Sequence, residues 1–405
     1  MSNKAHHVAE EVWRSEAARV IAGLTRLTGD VGLAEELAQD ALVTALEQWP
    51  RDGVPNNPGA WLTTVAKRRA VDQFRRRERH DEKLAELARR VTDVEEQPDP
   101  DVIEDDVLRL VFISCHPVLT TQTRVALTLR LLGGLSTDEI ARAFLTPEAT
   151  LAQRISRAKK TLAKERIPFE VPPREELGER LEAVLEVIYL IFNEGYTATA
   201  GGDWIRPHLC EEALRLVRLL EDLLPKEPEI HGLRALLEIQ ASRLDARTDA
   251  AGDPILLLDQ DRTKWDQSRI TAGLTALERA GQGPYALQAA IAACHARAAT
   301  AEATDWPRIA ALYERLAEEV PSPVIELNRA VALSMAYGPH AALPLVDELT
   351  EDPALEGYHL LPSVRGDLLA KLGRTEEAKA EFRKAADLTR NERERALLLN
   401  RAETP

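Results

Sequence analysis

The segment LSTDEIARAFLTPEATLAQRISRAKKTLAKE, residues 135–165, allows very few local folds. Ser136 and Glu139 have the spacing of a capping box, in which each satisfies a free amide at a helix start. Ile140, Ala141 and Phe144 supply the apolar stripe of a short helix. Thr146 then reads as an N-cap, with Pro147 in the first helical position, where a missing N–H costs nothing. Beyond it Leu151, Ile155, Ala158 and Leu162 recur at the period of a buried face, leaving Glu148, Ala149, Ala152, Gln153, Ser156, Arg157 and Lys160 outward. Two short helices joined by a tight turn, the second basic on its outer side, form a helix-turn-helix. On such a helix Gln pairs with adenine and Arg with guanine through two hydrogen bonds each, while Lys159, Lys160 and Lys164 are placed for phosphates. A solvated basic helix in an ordinary bundle explains the stripe, but not the cap, turn and basic face together.

The rest of the chain is also helical in composition. Aromatic residues are only 4 % of its 405 residues, and Ala, Leu, Glu and Arg, the strongest helix formers, dominate. An all-α chain of roughly two to three domains is expected. No run approaches the roughly 20 apolar residues of a membrane helix. The start, MSNKAHHVAEEVWR, has no apolar core of the signal-peptide kind. A cytoplasmic protein with no membrane partner is therefore expected. Cys115, Cys210 and Cys294 are odd in number and far apart, which does not read as a disulfide framework. No Cys/His spacing reads as a zinc site, and no catalytic triad or phosphate loop is present, so no cofactor and no enzyme activity are expected.

The net charge of −15 is unevenly spread: residues 1–90 carry +1, residues 91–106 carry −8, residues 107–170 carry +5, and the remainder −13. The segment VTDVEEQPDPDVIEDD, 91–106, has eight carboxylates and two prolines and reads as an extended linker. Pro168, Pro172 and Pro173 mark a second break. The expected organisation is a helical domain over 1–90, the acidic linker 91–106, a helix-turn-helix domain over 107–167 and a helical domain over 168–405. Near the end, Gly366, Leu369, Gly373, Ala378, Phe382 and Ala385 sit at the small and aromatic positions of a tetratricopeptide helix pair, with a weaker echo at Gly338, Ala341 and Ala342.

Two further motifs precede the linker. In PGAWLTTVAKRRAVDQFRRRERHDEK, residues 58–83, Lys67, Arg68, Arg69, Arg75, Arg76, Arg77 and Arg79 crowd a helix whose apolar side is Trp61, Leu62, Val65, Val71 and Phe74. Such a helix suits a phosphate backbone and a partly unstacked strand, although a solvated face and a core Trp61 are the plainer reading of each alone. In AEELAQDALVTALEQW, residues 34–49, Leu37, Ala41 and Leu46 face inward, leaving Glu35, Glu36, Gln39, Asp40 and Thr44 as a polar ridge.

Taken in order, these motifs resemble a bacterial RNA polymerase sigma factor of the extracytoplasmic-function (ECF) type. The later segments YLIFNEGY, LLLDQDRTKWD, GPYALQAAIAACHA and SPVIELNRAVAL are similar to a subgroup with a fused C-terminal tetratricopeptide-like domain. The resemblance implies sigma region 2 over 1–90, sigma region 4 over 107–167 and a regulatory domain beyond. It implies core RNA polymerase and promoter DNA as partners, with a small DGPF-type protein at the C-terminal domain. Glu35, Glu36, Gln39, Asp40 and Thr44 would bind the polymerase. Asn56, Asn57, Trp61, Lys67, Arg68, Arg69, Arg75, Arg76 and Arg79 would hold the −10 element, and Ala152, Gln153, Arg154, Ser156, Arg157, Lys159 and Lys160 the −35 element. Many relatives have Asn where this chain has Arg68. The alternative is a stand-alone helix-turn-helix regulator with a helical partner- or ligand-binding domain, which would leave the second basic helix and the acidic linker unexplained.

Overall fold

Asp30 sets the first turn of the second helix of the structure. Its Oδ1 accepts from the amides of Gly32 at 2.7 Å and Leu33 at 3.1 Å, an N-cap that starts a helix directly after Gly29, whose φ of +68° ends the helix before it. In this computed structural model, which describes residues 2–77, 100–144 and 146–403, the chain divides into two compact units, 1–188 and 189–405.

The first unit opens with α1 (Ser2–Thr28), α2 (Val31–Asp52) and α3 (Pro58–Arg77). Their alanine-rich inner faces pack closely: Ala17, Ile21 and Leu24 from α1, Ala38, Ala41 and Ala45 from α2, and Leu62, Ala66 and Ala70 from α3 are buried. After the undescribed segment come α4 (Pro100–Ser114), α5 (Thr121–Leu131), α6 (Thr137–Ala143) and α7 (Glu148–Lys164). Residues 100–106, read from sequence as extended linker, are therefore the first turns of a helix. Asp106 is buried at its inner side, 2.9 Å from Arg26 of α1 and 2.8 Å from Arg109, so one of the eight acidic residues is an internal ion-pair partner. A second tie joins Trp13 of α1, whose Nε1 donates to the carbonyl of Gly134 at 3.0 Å.

The next helix, α8 (Arg174–Tyr196), crosses the division between the units. Arg180 donates to the carbonyl of Phe112 at 2.9 Å, and Arg124 pairs with Glu186 at 3.4 Å. The residues after the Pro168–Pro173 break thus pack on the first unit, and the division falls between Ile188 and Tyr189 rather than at 168.

The second unit continues with α9 (Pro207–Leu223), α10 (Pro228–Ala241), α11 (Gln267–Arg279), α12 (Pro284–Arg297), α13 (Trp306–Glu319), α14 (Pro323–Tyr337), α15 (Pro339–Leu349), α16 (Leu360–Lys371), α17 (Thr375–Leu388) and α18 (Glu392–Glu403). Proline begins many of these helices, where its fixed φ suits the first turn. The repeat-like positions meet as a helix pair: Gly366 on α16 lies against the ring of Phe382 on α17, and Leu369, Ala378 and Ala385 are buried beside them. Two short strands, Ala200–Gly201 and Arg390–Asn391, pair in parallel, and Asn391 Nδ2 donates to the carbonyls of Ala198 and Asp203 at 2.9 and 2.8 Å. They tie the end of the unit to its beginning.

Helix packing here depends on glycine at close approaches. A Cβ on Gly232 of α10 would lie 2.7 Å from the amide nitrogen of Ala286 in α12, backbone that has no side chain to move aside. Gly232→Ala is therefore expected to destabilise the protein by about 1–3 kcal/mol in urea unfolding. Gly178→Ala, on an exposed stretch of α8 with nothing within 4 Å, should hold or raise stability. Equal midpoints for the two variants would refute the close-packing account.

Candidate nucleic-acid interface

The helix-turn-helix is built as its sequence requires. The amide of Ser136 donates to Glu139 Oε2 at 2.8 Å and the amide of Glu139 to Ser136 Oγ at 3.1 Å, closing the capping box at the head of α6. Leu151, Ile155, Ala158 and Leu162 are the buried residues of α7. The start of α7 is one residue later than expected: Pro147 is the N-cap, and the Thr146 hydroxyl donates to the carbonyl of Phe144 at 3.2 Å instead of capping the helix. Ala152, Gln153, Ser156, Arg157 and Lys160 are exposed on the outer face, with Arg154 half-buried.

Lys159 departs from the expected pattern. Its Nζ lies 2.5 Å from Glu35 Oε2 in α2, and its side chain is only 19 % exposed. Glu35 is itself buried, at 2 % exposure, and also accepts from Arg130 Nε at 2.6 Å and from Gln39 Nε2. Arg130 donates in addition to the carbonyl of Leu135, at the entrance to the helix-turn-helix. Glu35 is thus an internal anchor between α2, α5 and α7, not part of a solvated ridge. The signal was present in the sequence: Val31, Ala34, Glu35 and Ala38 follow the i, i+3, i+4, i+7 rule of a buried stripe, and Glu35 occupies one of its positions.

The remainder of the ridge stays outside. Glu36 and Asp40 are exposed, and Gln39 and Thr44 are half-buried. Arg69 of α3 bridges to this ridge, donating to Asp40 Oδ2 at 2.9 Å and to Thr44 Oγ1 at 2.7 Å. A residue assigned to −10 DNA is therefore held by two residues assigned to polymerase.

On α3 and the loop before it, Asn57 caps the helix by accepting from the amide of Ala60 at 3.1 Å, while Asn56 is exposed. Trp61 is half-buried and meets Trp49 edge-on at 5.5 Å between ring centroids, a packing contact that leaves one part of the indole at the surface. Lys67 is half-buried, and burial together with the Arg26 guanidinium pulls its ammonium below the usual lysine range. Arg68 and Asp72 are exposed. The side chains of Arg75 and Arg76 lie outside the described residues, as do Arg79 and positions 91–99 of the linker. Among the described residues, no cluster of His, Cys, Asp and Glu could hold a metal ion, and no helix is long and apolar enough to cross a membrane.

Residues 12–80, covering most of α1 with α2 and α3, match Sigma-70 region 2, and residues 109–162, which end in α7, match Sigma-70 region 4. The chain thus carries two Sigma-70 domains, region 2 followed by region 4. Among its relatives, it is 45 % identical over 389 residues to an uncharacterized protein of Rhizobium meliloti, covering 94 % of this chain and 92 % of that one. It is 27 % identical over 174 residues to the probable ECF RNA polymerase sigma factor SigI of Mycobacterium tuberculosis, covering 42 % of this chain and 59 % of that one. It is 28 % identical over 145 residues to the ECF RNA polymerase sigma factor SigK of Mycobacterium ulcerans, covering 34 % of this chain and 74 % of that one. Residues 180–281 match a family of unknown function, and no solved structure matches. The helix-turn-helix lies almost wholly within the residues that match Sigma-70 region 4, and the matched regions and relatives are those of DNA-binding factors of transcription initiation.

Proposed function

We propose that this chain is a sigma factor that docks on core RNA polymerase through the outer part of α2, Glu36, Gln39, Asp40 and Thr44, and directs initiation at promoters of one −35/−10 sequence. The observation that carries the reading is the exposed outer face of α7, where Gln153, Ser156, Arg157 and Lys160 stand clear of the core. Gln153 and Arg157 read base edges of the −35 duplex, and Lys160 fixes register on the phosphates. The −10 element lies along α3, with Asn56, the exposed part of Trp61 and Arg68 facing an unstacked strand. Lys159 reaches a phosphate only after leaving Glu35, so engagement of DNA by the full face requires the Glu35 anchor to open.

The domain assignment that goes with this reading is region 2 over 1–90, the acidic linker 91–106, region 4 over 107–167 and a tetratricopeptide-like regulatory part over 168–405. The first helix of that part, α8, belongs to the first compact unit as far as Ile188. The C-terminal part carries the excess negative charge and modulates activity rather than binding DNA. The protein works in the cytoplasm as a non-enzymatic factor, and a small DGPF-type protein is the C-terminal partner that the sequence resemblance implies.

Run-off transcription with core polymerase and the full chain, on fragments upstream of its own genes, tests the reading. Discrete transcripts sharing a −35/−10 pair are expected, and Arg157→Ala should reduce them about 10- to 100-fold, the worth of one bidentate base contact. Tight duplex binding without polymerase, and no transcripts with it, would make the protein a stand-alone regulator.

A further inference from the structure

The second unit contains a cavity of about 340 Å³ between α8, α10, α12, α13 and α14, within the size range of small-molecule sites. Its walls include Phe192, Leu236 and Ile291, and its rim includes the exposed Val324 and Asn328. Arg243 lines it at only 5 % exposure. That guanidinium faces the rings of Tyr196 and Trp265, at 5.8 and 5.7 Å, and its Nε has no hydrogen-bond partner. The ionisable groups that act on it are the phenol of Tyr196, then two further cations, Arg247 and Arg262, then Tyr313, with no carboxylate among them.

The two neighbouring cations are differently placed. Arg247 donates to the carbonyl of Tyr196 and to Thr197 Oγ1, both at 2.9 Å. Arg262 donates to the carbonyls of His295 and Ala298 at 2.6 and 2.7 Å. Elsewhere in the unit the buried Arg206 has Glu194 as its counter-charge. Among the described residues Arg243 is therefore a buried cation lining a cavity with no carboxylate partner, an arrangement whose desolvation cost an incoming anion would offset. Two more polar atoms on the cavity lining have no partner, Nδ1 of His295 and Oε1 of Gln240.

We propose that this cavity binds a small organic monocarboxylate with an aromatic or apolar body, its carboxylate held by Arg243 and a polar substituent met by His295 and Gln240. The guanidinium fork matches a carboxylate through two parallel hydrogen bonds, and the apolar walls take the body. Burial, then Arg243 and Arg262, push His295 down to about 4, so its ring is neutral and adds no second charge. Of the three cations Arg243, Arg247 and Arg262 only Arg243 lines the cavity, while Arg247 and Arg262 are engaged with carbonyls, and a single guanidinium at the site suits a monoanion better than a phosphate dianion. The proposal does not depend on the promoter-reading role and is tested without polymerase or DNA.

The test is thermal shift and titration calorimetry on the full chain with benzoate, 4-hydroxybenzoate and indole-3-acetate, alongside benzamide and phenyl phosphate. A carboxylate that binds should raise the melting temperature by about 3 °C at about ten times its Kd or more, while benzamide leaves it unchanged. The shift should vanish in Arg243→Met and in Val324→Trp. The second change fills the cavity from its exposed rim, so it decides the matter if Arg243→Met does not fold. No shift with any carboxylate, a shift that survives both substitutions, or binding of phenyl phosphate alone would each overturn the proposal.

Discussion

Glu35→Ala is expected to lower the stability of the first unit by about 3 kcal/mol or more, because it strands two cations on the carboxylate that now neutralises them. Arg130 and Lys159 keep only 17 % and 19 % of their side-chain surface exposed, so neither regains full hydration where it stands. Hydrogen exchange should show the loss in α5 and α7 as well as α2, since the carboxylate joins all three helices. Glu36→Ala and Asp40→Ala make the matching control. Both residues are exposed, and among the described residues Asp40 makes a surface pair with Arg69, worth about 1 kcal/mol at most. In transcription assays these two should lose activity with the melting temperature unchanged, whereas Glu35→Ala should lose both together. An unchanged melting temperature for Glu35→Ala would remove the anchor from the account.

The same residue shows how far the sequence could be read. The stripe of α7 and the capping box of α6 were readable in advance because both rest on local spacing, and the burial of Leu151, Ile155, Ala158 and Leu162 follows the predicted period. Glu35 sits within such a spacing too, yet its charge drew it to the polar ridge. Only the approach of Arg130 and Lys159, 95 and 124 residues away, makes burial of that carboxylate tolerable. Lys159 was misplaced for the same reason. Asp106 likewise looked like one more carboxylate of a solvated run until Arg26, far back on α1, met it. Long-range charge pairing has no period in the chain, so periodicity finds the face and not the exception on it. The Arg243 cavity is further still from the sequence, since its lining comes from five helices and from the segment joining α10 to α11.

A comparable buried pair holds the start of the second unit, and its loss should be as costly. Glu194, in the segment YLIFNEGY, is 7 % exposed and accepts from Arg206 and from Thr199, whose hydroxyl lies at 2.9 Å. Arg206 also donates to the carbonyl of Ala200 at 2.9 Å, and Ala200 pairs in turn with Arg390 near the far end of the unit. One carboxylate therefore holds the loop that joins the first and last parts of this unit. Glu194→Ala leaves a 7 %-exposed guanidinium without its counter-charge and should cost about 3–5 kcal/mol in urea unfolding. Faster hydrogen exchange is expected at residues 198–206 and 390–394. The double change Glu194→Leu with Arg206→Met removes both charges and should recover much of the loss, which separates an uncompensated charge from simple loss of packing. If the double variant is no more stable than Glu194→Ala, the cost lies in the hydrogen bonds to Thr199 and Ala200 rather than in the ion pair.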